Sequence, residues 1–456
     1  MDIDRRKFIR LCGMASFLLM LGFTSGRTPR LTAKSNRVIV IGAGMSGLSS
    51  ARALHDAGYQ VTIVEGRDRI GGRIRTTRDL STPVDLGAGW IHGEVDNPLT
   101  DLAKKYGAKL FKTEMNNIAG LGKNGTDLTD GMLELASRAY EIMAREPSNK
   151  DSKSLGQFVR DEIGSLNAEQ TRMLNGFLGA QGGFWGSNSL NEIDRFQLNQ
   201  EKTFEGYDWR FLNGYDTIIR GLAEGLDIRL SAPVTTVDWS GPTNRVETKQ
   251  GVYEAEHVIV STPVAVLRQG GIRFTPDLPS THETAIQELA VGLSEKLVLR
   301  FQKPFWPEAA HVLVRASDDG NFPLMFNNHY PSSGDAFLTI RVLGDRVPHW
   351  TTLDQSSAVA EAMKMLKNTF GSDIPNPTAA LQSDWYRNPF SKGGYSTNHI
   401  DVPSYEHRAQ LAKPVSPGLQ FVGEHTEPDY FATVHGAYLS GQRAATFITS
   451  ANRQDA

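Results

Sequence analysis

Four apolar residues in a row, Val38 to Ile41, give way to a glycine-rich turn, a helical stretch and a second strand that ends in an acid at Glu65. A run that short fits a buried parallel strand. A helix is expected to start near Pro98, since proline at the first helical position loses no intrahelical hydrogen bond. Residues 130 to 182 read as mostly helical, with Met132, Leu135, Ile142 and Met143 spaced along one apolar face. From 183 to 213 the chain is rich in glycine and aromatic residues and is expected to be irregular. Gly214-Tyr215 precedes a further helix, and strand signals return around Ile228 and Val234. HVIVSTP reads as a strand ending in a turn, and SEKLVLRF as an alternating strand that leads into a region rich in Trp, Phe and Pro. The stretch from Gly418 gives a strand, a loop and a helix beginning near Val434.

At 456 residues the chain exceeds what one hydrophobic core usually serves, so two domains are expected. Charged residues make up 22% and the formal net charge is -3, so the bulk balance favours neither nucleic acid nor an anionic membrane surface. At the N-terminus a basic stretch, Arg5 to Arg10, precedes an apolar run from Leu11 to Phe23 that is too short to span a bilayer comfortably. Arg5-Arg6 followed by Lys7-Phe8-Ile9 resembles a twin-arginine export signal, used by proteins that fold around a cofactor before crossing the membrane. Residues 1–35 are therefore expected to be a signal segment, and the mature chain a periplasmic or equivalent extracytoplasmic protein without a stable membrane span. The single cysteine, Cys12, lies inside that segment, which excludes a cysteine nucleophile and a thiolate metal site from the mature chain. No metal site is expected.

The turn after Ile41 carries the chemistry. Gly42, Gly44 and Gly47, with Ala43, Met45 and Ser46 between them, supply a tight turn, backbone approach to a pyrophosphate and close helix packing. The helix N-terminus then faces the phosphates. Glu65, 18 residues beyond Gly47, stands where a carboxylate accepts from a ribose hydroxyl pair and repels an NADP 2′-phosphate. Gly66, Arg67 and the pair Gly71-Gly72 with Arg73 follow; this extension resembles that of the FAD-dependent amine oxidase and desaturase group, which implies FAD rather than NAD, with Arg67 and Arg73 neutralising the pyrophosphate.

Seven motifs in order carry a closer resemblance: VIVIGAGMSGLSSARAL, GRDRIGGRI, DLGAGWIHG, NGYDTIIRGLAEGLDIRL, LSEKLVLRFQKPFW, DWYRNPFSKGGYSTN and FVGEHTEPDYFATVHGAYLSGQRAA. The chain resembles the flavin-containing amine oxidases, polyamine oxidases foremost, and the catalytic part of lysine-specific histone demethylases. The implied fold is α/β plus α+β: a discontinuous Rossmann-like FAD-binding domain over 36–110, 219–285 and 390–450, and a substrate domain of mixed sheet and helices over 111–218 and 286–389. The implied reaction is hydride transfer from the carbon beside an amine to flavin N5. Imine hydrolysis then gives an aldehyde and a shorter amine, and oxygen reoxidises the flavin to give hydrogen peroxide.

The resemblance also assigns residues. Lys296 matches the lysine that holds a water near N5, and Tyr395 one wall of an aromatic cage; the second wall does not match, since the facing position, a tyrosine in monoamine oxidases, is Thr433 here. Gly394 stands where monoamine oxidases carry a flavin-linked cysteine, so the FAD is expected to be noncovalent. Gly87, Ala88, Gly89, Trp90, Val234, Gly423, Glu424 and Val434 are assigned to the cofactor. Amino-acid oxidases of this superfamily place a carboxylate-clamping arginine after the DLGxx segment. Here the chain reads Gly89-Trp90-Ile91-His92-Gly93, which favours a free amine such as spermine or spermidine. His92 is expected to line the tunnel, with Glu201, ahead of Glu94, Glu205 and Asp208, meeting a distal cation. The reacting nitrogen must be neutral to support hydride loss, so activity should rise toward alkaline pH. The alternatives are an L-amino-acid oxidase or dehydrogenase passing electrons to oxygen or quinone, and a monoamine oxidase. A desaturase or porphyrinogen-oxidase reading leaves Lys296 and GGYSTN unexplained, and a demethylase-like protein acting through partners fits poorly with an export signal and an uninterrupted middle domain. The sequence leaves the oligomeric state open.

Overall fold

The computed structural model describes residues 36–80, 82–145, 154–184, 190–195, 201–318, 322–327 and 329–454. The export-signal reading and Cys12 lie outside the described residues.

Strand β1 (Arg37–Ile41) is buried from Val38 onward and pairs in parallel with β2 (Gln60–Val64) on one side and with His257–Val260 on the other. Helix α1 (Met45–Asp56) is the crossover between β1 and β2. Leu419–Phe421 and Asp227–Arg229 complete a five-stranded parallel sheet, so segments nearly 400 residues apart meet around β1. The closing helix, Val434–Gln454, lies against α1, where Ala444, Ala445 and Ile448 share a core with Leu48, Ala51 and Leu54. The uninterrupted apolar runs of these strands follow from having both faces covered.

A six-stranded sheet runs in the order Ala379–Gln382, Ser294–Arg300, Phe337–Leu343, Leu324–Phe326, Val312–Arg315 and Ile118–Leu121. The strand next to its edge, Ser294–Arg300, was expected to alternate, yet all its positions except Arg300 are buried. Both faces are covered: Leu297 and Leu299 pack with Leu313, Met325, Ile340 and Trp350, while Val298 packs with Val84, Leu86 and Phe337. Glu295 faces no solvent at all; its carboxylate accepts from the backbone of Trp385 (2.6 Å) and Tyr386 (2.8 Å) and from the Ser383 hydroxyl, tying this strand to the loop at 383–386.

The helices Thr129–Met143, Leu155–Glu162 and Ala168–Phe184 match the periodic stretch at 130 to 182, with Met132, Leu135 and Ile142 in their shared core and Met143 at its margin. The expected helix at Pro98 runs Pro98–Lys105, and the Asn97 side chain accepts from Leu99 N. The stretch 183 to 213 is not irregular throughout: Asp208–Phe211 is a strand between Trp90–Ile91 and Leu110–Thr113. Partners from distant sequence supply its ladder, which local composition does not reveal. Among the described residues no helix is long and apolar enough to cross a membrane.

Candidate active site

β1 gives way to a turn at Gly42, whose φ of +102° lies in the left-handed region. A Cβ on Gly47 would sit 2.0 Å from the Gly42 carbonyl oxygen, so α1 leaves the strand this tightly only with glycine there. No side chain caps α1 and its first turn holds no acid, which leaves its backbone N–H groups for a ligand. Beside it, buried Glu65 accepts from Ala43 N (2.7 Å) and Arg67 N (2.8 Å), which fixes its carboxylate at the edge of the turn.

One cavity of about 770 Å³ runs from this turn into the space beside Lys296 and Tyr395. Every residue assigned to the site from the sequence lines it except Ala43 and Gly47, which lie beneath the turn and shape it. Of the weaker acid candidates Asp208 lines it, whereas Glu94, which accepts from Trp209 Nε1, and Glu205 do not.

The two arginines assigned to the pyrophosphate differ. Arg67 is buried against Trp385 and Phe390, and its Nη2 has no partner. Burial, with Arg69, Arg73 and Arg75 nearby, pushes its guanidinium down to about 10, so a bound anion would relieve it. Arg73 is already engaged: its Nη1 donates to Gly394 O (2.8 Å) and to Glu424 Oε1 (2.9 Å). Glu424 in turn accepts from Ser396 N (3.1 Å), Ser396 Oγ (2.7 Å) and Ala432 N (3.0 Å). Burial pushes this carboxyl up, but the Arg73 charge, His425 and the Ser396 hydroxyl outweigh it and hold it at about 2. Glu424 therefore ties the Tyr395–Ser396 strand to the loop before the last helix.

Lys296 stands opposite Arg341 on the neighbouring strand. Its Nζ donates to the backbone oxygens of Asp85 (3.0 Å) and Gly87 (2.5 Å) and lies 5.5 Å from the Trp90 ring centre. Burial and the Arg341 charge push the ammonium down to about 7, against the pull of Asp85. Burial pushes Asp85 up to about 6, although the Thr76 hydroxyl, Tyr215 N–H and Lys296 oppose it. Tyr395 faces Gly292 across a two-residue pairing, and its hydroxyl donates to Gly183 O (3.1 Å). Thr433 caps the last helix: its Oγ1 accepts from Gly436 N (2.9 Å) and donates to Tyr430 O (2.7 Å).

Farther out, His92 Nδ1 lies 3.0 Å from Asp208 Oδ2, and Phe204 stacks on Tyr430 with ring centres 4.7 Å apart. Glu201 also lines the cavity; burial raises its carboxyl despite Arg408 and His92. Sequence reasoning missed Asp85, Arg341 and Trp385. Arg341 left one signal, a lone charge inside the apolar run FLTIRVL.

A nucleotide cradle continuous with a chamber that holds a buried lysine of lowered basicity defines a dinucleotide-dependent oxidoreductase. The chain belongs to the flavin-containing amine oxidoreductases, whose family model matches residues 45–449, and is an FAD-dependent amine oxidase. It is 33% identical over 448 residues to polyamine oxidase 4 of Oryza sativa subsp. japonica, covering 91% of this chain and 89% of that protein. Against lysine-specific histone demethylase 2 of Homo sapiens the identity is 30%, over 91% of this chain and 53% of the relative. A putrescine oxidase redesigned in its cofactor binding shares the fold, with a TM-score of 0.73 over 91% of this chain and 99% of that one at 23% identity. FAD fits the residues present: the uncapped helix N-terminus and the unpartnered Arg67 Nη2 suit its pyrophosphate, and Glu65 suits a ribose.

Proposed function

We propose that this protein oxidises a polyamine of the spermine or spermidine type at a C–N bond, releasing an aldehyde and a shorter amine after water hydrolyses the imine. The observation that carries the reading is the single cavity joining the nucleotide cradle, Lys296 and Tyr395 to an outer part lined by Glu201, His92 and Asp208. Bound FAD, held noncovalently, supplies the acceptor for the hydride beside the amine nitrogen and passes the electrons to oxygen as hydrogen peroxide.

The chain's own residues prepare the amine. Glu201 and Asp208 hold a distal ammonium near the mouth, while the reacting nitrogen enters a chamber walled by Trp90, Phe326 and Tyr395. Desolvation and the nearby cations lower that nitrogen's basicity, so it arrives neutral. Lys296, exchanging its proton near neutrality, holds a water at Nζ and moves a proton to it. Export by a twin-arginine route, with the oxidase acting outside the cytoplasm, belongs to the same proposal and rests on Arg5-Arg6.

Oxygen uptake with spermine, spermidine, simple monoamines and arginine tests the reading. Uptake with the polyamines, rising toward alkaline pH, is expected; uptake with arginine and none with any amine refutes it.

A further inference from the structure

His435 has no role in the reading above. It follows Val434 on the first turn of the last helix and lines the same cavity as Lys296, His92 and Glu201. The ring is only 4% exposed, and aromatic packing orients it: Phe204 meets it edge to face at 5.0 Å and Tyr430 at 5.3 Å, and those two rings stack on each other. Neither ring nitrogen makes a hydrogen bond among the described residues. Burial first and His92 second push the imidazole down to about 3, so at neutral pH it is uncharged, with one nitrogen a donor and the other an acceptor. An acceptor withdrawn from solvent and left unpaired is costly, so something that enters the cavity is needed to satisfy it. A secondary ammonium inside an alkyl chain suits these surroundings. It has an N–H for the imidazole, a charge for the ring faces, and methylenes on either side for the surface of Phe204, which also lines the cavity.

We infer that His435 and Phe204 form a subsite for an internal nitrogen of the substrate, the one next outward from the nitrogen being oxidised, with the terminal ammonium beyond it at Glu201 and Asp208. The inference rests on the polyamine reading and sharpens it. Two internal nitrogens are then recognised by different means, the reacting one in the chamber beside Lys296 and the next by the neutral imidazole, which selects a tetramine of the spermine type over a chain whose middle is all carbon. An uncharged acceptor is suited to this place, since it holds the ammonium without trapping it as a buried carboxylate would.

The test compares spermine with the aminopropyl derivative of 1,8-diaminooctane, in which a methylene replaces one internal nitrogen while the length and both terminal amines are kept. Anaerobic flavin bleaching gives the rate, and perturbation of the flavin spectrum gives binding. In the wild type kcat/KM for spermine exceeds that for the carbon analogue by about 10- to 100-fold, the range for a hydrogen bond to a charged group. In His435→Phe, which keeps a flat ring and removes the acceptor, the ratio falls toward parity. His435→Asn and His435→Gln place an acceptor near Nδ1 and near Nε2, and one of the two keeps part of the ratio, which a merely structural role would not produce; flavin content checks the fold of every variant. A ratio near parity in the wild type, a ratio unchanged in His435→Phe, or equal and complete loss in Asn and Gln variants that retain flavin overturns the subsite and leaves the polyamine reading standing. If neither compound bleaches the flavin or perturbs its spectrum, both fall.

Discussion

Replacing Glu424 by Gln keeps the side chain's shape and removes the carboxylate that pairs with Arg73 and that, with Glu201, is set against the buried Arg408. Held at about 2 in the fold against an ordinary 4.5, and only 5% exposed, the carboxyl contributes about 3 kcal/mol at neutral pH. The sign follows from the direction of the shift. Because the folded value is depressed, the contribution is complete above 4.5 and drains away as pH falls from 4.5 toward 2. Urea unfolding of wild type and Glu424→Gln at about pH 7, 5.5 and 3.5 measures it. The expected gap is about 3 kcal/mol at the two higher pH values and about 2 at the lowest, since about 1.4 kcal/mol is lost per unit below the unfolded value. A gap under about 1 kcal/mol at neutral pH, or one that does not narrow in acid, would refute the idea that a charged Glu424 holds the Tyr395 strand to the last loop.

Two further outcomes follow from the same geometry. Lys296 is depressed on folding, so its burial costs most below about 7 and the cost vanishes as pH rises toward 10.5. The unfolding free energy of wild type relative to Lys296→Met should therefore climb by about 1.4 kcal/mol per pH unit from 7 upward, and a flat difference shows that the lysine is not buried as a strained cation. Gly47→Ala forces a methyl against the Gly42 carbonyl; a loss of about 1–3 kcal/mol or more is expected, with weakened FAD retention read by flavin absorbance on gel filtration, and full retention at wild-type stability contradicts the close packing.

The nucleotide end of the cavity was legible because its determinants are local. Gly42, Gly44 and Gly47 act through the turn they sit in, Glu65 reaches it from the end of the next strand, and the order of strand, turn, helix and strand is written in apolar runs. The substrate end was only half legible, because its remaining groups arrive by register. Arg341 reaches Lys296 through the pairing of Ser294–Arg300 with Phe337–Leu343, 45 positions along the chain. The strand Ser294–Arg300 misled for a related reason. Its polar positions Glu295 and Lys296 mimic a solvent face, yet the protein buries them with backbone amides and carbonyls as partners. Asp208–Phe211 escaped notice because glycines and aromatic residues around it mask a strand whose partners lie at 90–91 and 110–113.

Charge is sorted along the cavity, and the sorting bears on which group gives up a proton. Lys296 and Arg341 face each other across two strands, so Arg341 raises the cost of the Lys296 charge. Burial first and the Arg341 charge second lower the Lys296 ammonium, so the lysine gives up its proton more readily than a solvated one. On the proposed reading, an amine moving inward leaves the acids at His92–Asp208 and Glu201 and approaches the Arg341 guanidinium. The proposed loss of its proton has the two causes that lower Lys296, burial first and Arg341 second. Arg341 thus disfavours an ammonium at the position beside Lys296.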